Sequence, residues 1–588
     1  MKKLVLTIII IATAIISSIA QYPDSKTVMN AMKDELNRSM KELKLENLQR
    51  PYYIEYQLKV VGEHNASAFL GNLINSNSRY NYILNVSVRV GDYQFDNSNF
   101  LDIGFSFFGS TDDEERYTNR RIPEEISYDI LRQQLWLATD AAYKQSSEIY
   151  SKKVASIKNI TRKDTIPDFT KVQPRKSYDT TSYADFNFDK YVELVNALSN
   201  QFSGLPQIYT SRVSFEYLPS RTYYLNSEGM EYIKDEHFSG IEAICFTQND
   251  KGIPIAQHYS VYSRLPKNLP SQDSLKKAIN EIAVKLIAQT SQSSLDDNYN
   301  GPVIVEGQAA GEIISRIFAP NLIAQREKLS EGMIASFGGR FNAFQKKIGG
   351  RVLPEFISVF DKPKDMKYKT TELVGYYTID DQGVDPKNVT LVENGYLKTL
   401  LNDRTPIKRV MESNGHRRGG VTMFSNLYFL VDPIKTLSSN DLKKKLLELV
   451  KQRGLPYGII VRKAMNQNIF STALMSRTFG VVSFLMDQNS IPIVEAYKIY
   501  PSGREELLKN IQINSLSHQS FKDILNGGKD IYVHNLLVQN PGGGFGSEGS
   551  AWIPSSIITP SLLFEDLEIT TIDKDIPKPP FLSNPIKN

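Results

Sequence analysis

Apolar residues at Val28, Met32, Leu36, Met40 and Leu43 recur every three or four positions, a period that predicts an amphipathic helix over Ser25–Leu43. The pattern changes at Pro51–Val61 (PYYIEYQLKVV), where aromatic and β-branched residues predict a strand. Alternating Val86, Val88 and Val90 predict another strand within Asn81–Phe95. A long helix is expected over Pro123–Ser156, opened by Pro-Glu-Glu, because proline and acids suit a first turn. A shorter helix is expected over Asp189–Phe202, and several strands over Ser211–Ser263 with a turn at Asn249–Gly252. Gln272–Thr290 places Leu275, Ile279, Ile282 and Leu286 on one helical face.

Periodicity stops at Ser291–Gly301 (SQSSLDDNYNG), which reads as a linker. Beyond it strands and tight turns dominate, with hairpin turns expected at Asp380–Gly383 and Glu393-Asn394-Gly395. One helix interrupts, over Asn440–Arg453. Ser439 or Asn440 is its expected cap, Leu442, Leu446, Leu449 and Val450 its buried stripe, and Gly454 its stop. The fold class is therefore α+β. An N-terminal α+β domain over 21–292 should carry an antiparallel sheet with flanking helices, and a mostly antiparallel β domain should occupy 298–588.

Residues 1–20 follow a different rule. Lys2 and Lys3 precede an apolar run over Leu4–Ile16, and Ser18 and Ala20 stand at −3 and −1 of a cut after Ala20. That is the pattern of a secretory signal peptide, and the run is shorter than the roughly 20 residues a spanning helix needs. The expectation is an exported, periplasmic protein with no membrane span after cleavage.

Composition then narrows the chemistry. The 588 residues carry 69 Lys+Arg and 65 Asp+Glu, a net charge of +4, which is too balanced for a nucleic-acid partner. One cysteine, Cys245, excludes an intrachain disulfide and Cys-rich metal modules. It lies in the strand-like Ile241–Phe246 and reads as a buried, inert thiol. The six histidines are His64, His237, His258, His416, His518 and His534, and no HExxH occurs. His237 and His258 are placed to face each other across a hairpin, most simply as solvated strand residues. His416 sits in the Gly-flanked basic turn Ser413–Gly420, which suits a surface loop or a groove wall. Two segments are rich in small residues. Gly301–Glu312 (GPVIVEGQAAGE) reads as a short buried strand at Val303–Val305, then a small-residue junction into a helix over Glu312–Phe318. Pro541–Gly546, followed by Ser547–Ser550, lets backbone approach a ligand closely.

Those two segments resemble the TldD/PmbA family, the modulator-of-gyrase type of metallopeptidase. Lys347–Pro354, Tyr377–Val384, Leu391–Leu400 and Ser413–Arg418 support the resemblance in the same order along the chain. An exported, Bacteroidetes-type TldD-related branch is the nearest in pattern. The resemblance implies a zinc peptidase subunit that holds its metal with two His of an HExxxH helix and a distant Cys, with the Glu as general base. It also implies a partner subunit lacking those groups, and a cavity that admits unfolded peptides. Aligned through Ala309-Ala310-Gly311, the His–Glu–His positions fall on Gly307, Gln308 and Glu312, and the Cys position falls on Phe545. The expectation is a TldE-like, non-catalytic subunit with no cofactor of its own and zinc only in a paralogous partner. It would act as a heterodimer with that paralog, or as a homodimer. Its peptide-groove candidates are Ala309, Ala310, Gly311, Asn414, Gly415, His416, Arg417, Gly543, Gly544 and Gly546. Two rivals remain open. One is a peptidase with a rearranged metal site drawing on Glu306, Glu312, His416 or His534; the other is a stand-alone envelope scaffold.

Overall fold

The computed structural model describes residues 22–44, 48–101, 120–158, 165–180, 186–249, 252–330, 342–469, 490–540 and 552–572. The leader pattern at 1–20 and the glycine-rich segment with Gly543, Gly544, Phe545 and Gly546 lie outside them.

The N-terminal half is a seven-stranded sheet. Its long strands are β1 (Pro51–Phe69), β2 (Asn72–Val90), β3 (Thr210–Asn226), β4 (Glu231–Gln248) and β5 (Pro254–Ser263). They pair antiparallel in the order β2-β1-β3-β4-β5; Arg120–Arg121 borders β2, and Lys176–Asp179 runs parallel to β4. Alternation decides what each face does. Ile54, Tyr56, Leu58 and Val60 face the helices α1 (Ser25–Glu42) and α2 (Tyr128–Lys158). Farther along the same face, Ala66, Val213, Phe215, Ile241 and Cys245 pack under α3 (Phe188–Ser199) and α4 (Gln272–Thr290). The opposite face carries Lys234 and Glu242, and it looks toward the C-terminal half through Lys234–Asp381 and Glu242–Asn468 contacts.

Several boundaries differ from the sequence expectation. α2 begins at Tyr128 rather than Pro123, because Ser127 caps it, accepting from Ile130 N–H at Oγ and from Leu131 N–H at its carbonyl. The second strand is Asn72–Val90, not Asn81–Phe95, since it forms one long hairpin with β1. Asp380–Gly383 is a turn, with Gly383 N–H on Asp380 O, but no strand pair flanks it. Glu393–Gly395 is a true hairpin turn; Asn394 and Gly395 take φ of 49° and 80°, the left-handed pair that such a turn requires.

The C-terminal half is a twelve-stranded, mostly antiparallel sheet. Its principal strands are β6 (Tyr299–Val305), β7 (Ile357–Asp361), β8 (Val389–Glu393), β9 (Asn426–Val431), β10 (Gly458–Ala464), β11 (Ser490–Ile499), β12 (Ile511–Asn514), β13 (Ile524–Gln539) and β14 (Trp552–Thr571). Part of the sheet closes on itself, because β6 pairs β10 on one edge and β14 on the other, completing a ring through β11 and β12. The linker is therefore shorter than the polar run suggested, with Tyr299 already in a strand and Leu295 buried. Helix α5 (Gly307–Ile313) follows β6 and runs into a π-helical turn over Ile314–Phe318, so the helix starts five residues before the expected Glu312. Helix α6 (Ser439–Gln452) is capped by Ser438, one residue before the expected caps, and seats Leu442, Leu446 and Val450 on Ile304, Ile460 and Leu563.

Arg404 adds a buried tie between the halves. Arg404 is fully buried in the N-terminal half, donating to Thr170 O at 2.8 and 2.6 Å and to Glu228 at 2.8 Å, with its guanidinium 3.9 Å from the Phe169 ring centre. No helix among the described residues is long and apolar enough to cross a membrane.

Candidate functional site

β6 is paired on both edges and enters the core as an apolar run, so the chain after it must leave the sheet at a fixed point. It does so at Glu306, whose N–H meets Val461 O and whose carboxylate meets Arg462 at 3.2 Å. One side of α5 is then core: Ala309, Ala310 and Ile313 join the main hydrophobic cluster. Ala309 and Ala310 are thus core residues of this chain and not groove walls. Gln308 and Glu312, four residues apart, share a different side of α5.

That side borders a cleft of about 440 Å³ between the two halves. Its walls are β5 residues His258–Ser263, β13 residues Tyr532–Asn535, the turn carrying Thr370–Glu372, and Gln308 with Lys463. Glu312 is 2% exposed and His534 3%. The Glu312 Oε2 accepts from His534 Nε2 at 3.1 Å and from Gln308 Nε2 at 3.4 Å, and its Oε1 accepts from Gln467 N–H at 3.2 Å. Gln308 Oε1 accepts from Ala464 N–H at 2.9 Å. Gly311 lets the imidazole lie against the helix, since a Cβ there would stand 2.5 Å from His534 Cβ.

His258 also borders the cleft, but it is buried, and its strand partner is Ile244, not His237. The expected facing pair of solvated histidines does not form. His237 instead pairs across from Pro219 and meets Tyr217 Oη at 3.0 Å. Burial pushes the His258 imidazole down to about 3, with the Lys463 ammonium adding to the effect, so the ring is neutral. Burial likewise lowers Lys463 to about 8. Cys245 is buried and burial raises its thiol, which matches an inert core residue.

The second candidate segment turns inward. His416 is 0% exposed, with Nε2 at 3.2 Å from Asp361 and Nδ1 at 2.9 and 3.0 Å from the two oxygens of Asn414. Asn414 is fixed by Asn402 N–H and Leu400 O, and Gly415 O accepts from Tyr377 Oη. Arg417 pairs with Asp403 at 2.7 Å. This segment braces the core, so neither a surface loop nor a groove describes His416. Sequence reading missed Asp361, Ser425, Gln467 and Lys463 as partners, because no local motif announces contacts made across strands.

Residues 298–571 match the model of the PmbA/TldA metallopeptidase C-terminal domain. A protein described as a modulator of a DNA gyrase from Thermotoga maritima has the same fold, at TM-score 0.57 and 14% identity, over 92% of this chain and 100% of that one. TldE from Thermococcus kodakarensis superposes at TM-score 0.55 and 13% identity over 92% and 99%. Residues 298–571 form a TldD/PmbA-family domain. Relatives by sequence include a metalloprotease of Methanocaldococcus jannaschii, 35% identical over 82 residues, which are 13% of this chain and 17% of that protein. A metalloprotease of Methanothermobacter thermautotrophicus is 25% identical over 218 residues, 36% of this chain and 43% of that protein. The matches therefore span less than half the length of these two relatives.

The TldD/PmbA resemblance implies zinc ligands at Gly307 and Glu312 and a general base at Gln308, and those residues do not fit those roles. Gly307 offers no side-chain donor, the Gln308 carbonyl oxygen is engaged by Ala464, and both Glu312 oxygens are taken. Among the described residues no group of three or more His, Cys, Asp or Glu is arranged to hold a metal ion.

Proposed function

We propose that this chain is the non-catalytic, peptide-binding subunit of an exported TldD/PmbA-type peptidase complex, with zinc carried by a paralogous partner. The observation that carries this reading is the commitment of the α5 side chains to internal hydrogen bonds. Where a zinc peptidase needs three protein ligands, an open coordination position and a free carboxylate base, Gln308 and Glu312 hold the fold instead. Export rests on the Lys2–Ala20 pattern. The cleft between the halves supplies the peptide site.

The rearranged-site rival draws on groups that lie apart. Glu306 is paired with Arg462 and His416 with Asp361, which leaves Glu312 and His534 as a bonded pair. The test is zinc analysis of the purified full chain, with peptide cleavage assayed alone and after mixing with a paralog that has an intact HExxxH motif. Substoichiometric zinc and cleavage only in the mixture are expected. Stoichiometric zinc that tracks activity of the chain alone overturns the reading, and failure to recover any such paralog by pull-down favours the stand-alone scaffold.

A further inference from the structure

Resting on that peptide-binding reading, the geometry points to Gln308 and His534 as a paired clamp for the N–H and C=O of one residue of a bound extended chain, with Glu312 as the positioning residue that sets them side by side. A carboxylate oxygen only accepts, so the bond to Glu312 selects the Nε2–H tautomer of the imidazole. Its Nδ1 is then a lone-pair acceptor. No described residue meets Nδ1, although the side chain is only 4% exposed, and His534 borders the cleft. The orientation of the Gln308 amide is equally fixed. Its oxygen accepts from Ala464 N–H, which leaves nitrogen toward Glu312 and one N–H uncommitted.

The two free functions come from side chains that share one oxygen, Glu312 Oε2. An acceptor and a donor on neighbouring side chains complement the N–H and C=O of one residue in an extended chain, which point to the same edge. The ring is also pinned sterically. Gly311 gives it room to lie against the helix, where a Cβ would approach ring carbons to 2.8 Å, and Tyr532 stacks on it with centroids 6.5 Å apart. The cleft volume of about 440 Å³ falls in the range of small-ligand sites. His258 is not part of the clamp, because its Nε2 is spent on Ala464 O and its Nδ1 is sealed from solvent.

The test uses the full chain and a fluorescein-labelled tetra-alanine amide, with a set of analogues in which each peptide N–H in turn is replaced by an ester oxygen. One ester should weaken binding to the unmodified protein by roughly ten-fold, the scale of one lost hydrogen bond. The same ester should have no further effect on His534→Ala. Gln308→Ala should weaken all analogues by a similar factor, and Glu312→Gln should flatten the preference among esters while the protein stays folded. Equal losses in the unmodified protein and in His534→Ala at every position overturn the clamp and leave the subunit reading standing. If His534→Ala does not fold, the scan on the unmodified protein decides alone, and a flat scan overturns the clamp. Absence of any tetra-alanine binding overturns both readings.

Discussion

Among the described residues of the C-terminal half, two carboxylate–imidazole pairs differ in what surrounds them. Asp361–His416 is sealed: both residues are 0% exposed, Asp361 accepts from Ser425 N–H and Oγ, and both nitrogens of His416 meet oxygens. Glu312–His534 uses the same two groups at a similar distance, but one ring nitrogen has no partner and the ring borders a cleft. The chemistry of the pair is shared; the unused valence is not. A saturated pair cements strands β7 and the Ser413–Gly420 turn, whereas an unsaturated one at a boundary is available to a ligand.

The sharpest way to break this contrast is to remove one member of each pair. His416→Ala takes one donor from a buried carboxylate and empties a sealed site, and should cost about 3 kcal/mol in urea unfolding of the full chain. If it costs no more than His534→Ala, the two pairs are not different in kind. Next is acid. The folded-state value of His258, about 3, lies below its ordinary 6.5, so the stability it contributes is present above pH 6.5 and is lost as pH falls toward 3. Stability should fall by about 2 kcal/mol from this group by about pH 5, a slope that His258→Asn removes. Gly311→Ala forces a methyl into His534 and should cost about 1–2 kcal/mol while weakening tetra-alanine binding. The smallest stability effect, about 1 kcal/mol, belongs to His534→Ala, whose main consequence should appear in the binding assay. A larger stability loss with unchanged binding would make Glu312–His534 a second structural pair.

Much of the fold was legible along the chain. α4 and α6 have amphipathic stripes close to where periodicity put them, with Leu275, Ile279, Ile282, Leu442, Leu446 and Val450 buried and the expected Leu449 only partly so. β1 was recognisable from its aromatic and β-branched residues, though its far end over Gly62–Phe69 was not, because polar and small residues there pair with β2 through backbone and through polar contacts such as Glu63–Arg79 and His64–Ser78. The start of α2 was misplaced because Pro-Glu-Glu satisfies the same local preferences as a first turn, and only Ser127 closes the actual one. For the site, the importance of Gly307–Glu312 came from local pattern and resemblance. Its content did not: His534 lies 222 residues from Glu312 and arrives by sheet pairing, which no spacing rule encodes. His416 was overread for a related reason. A glycine-flanked basic turn looks solvated until Asp361, 55 residues away, is brought under it.

Arg404 has a consequence for how the molecule comes apart. Its guanidinium sits among N-terminal residues while its backbone belongs to the C-terminal half. Separating the halves would strand a cation that has lost Thr170, Glu228 and the Phe169 face at once. A protease cut in the polar stretch before Tyr299 should therefore yield two fragments that migrate as one species until denaturant is added. Thermal melting should register a single cooperative event rather than two independent ones.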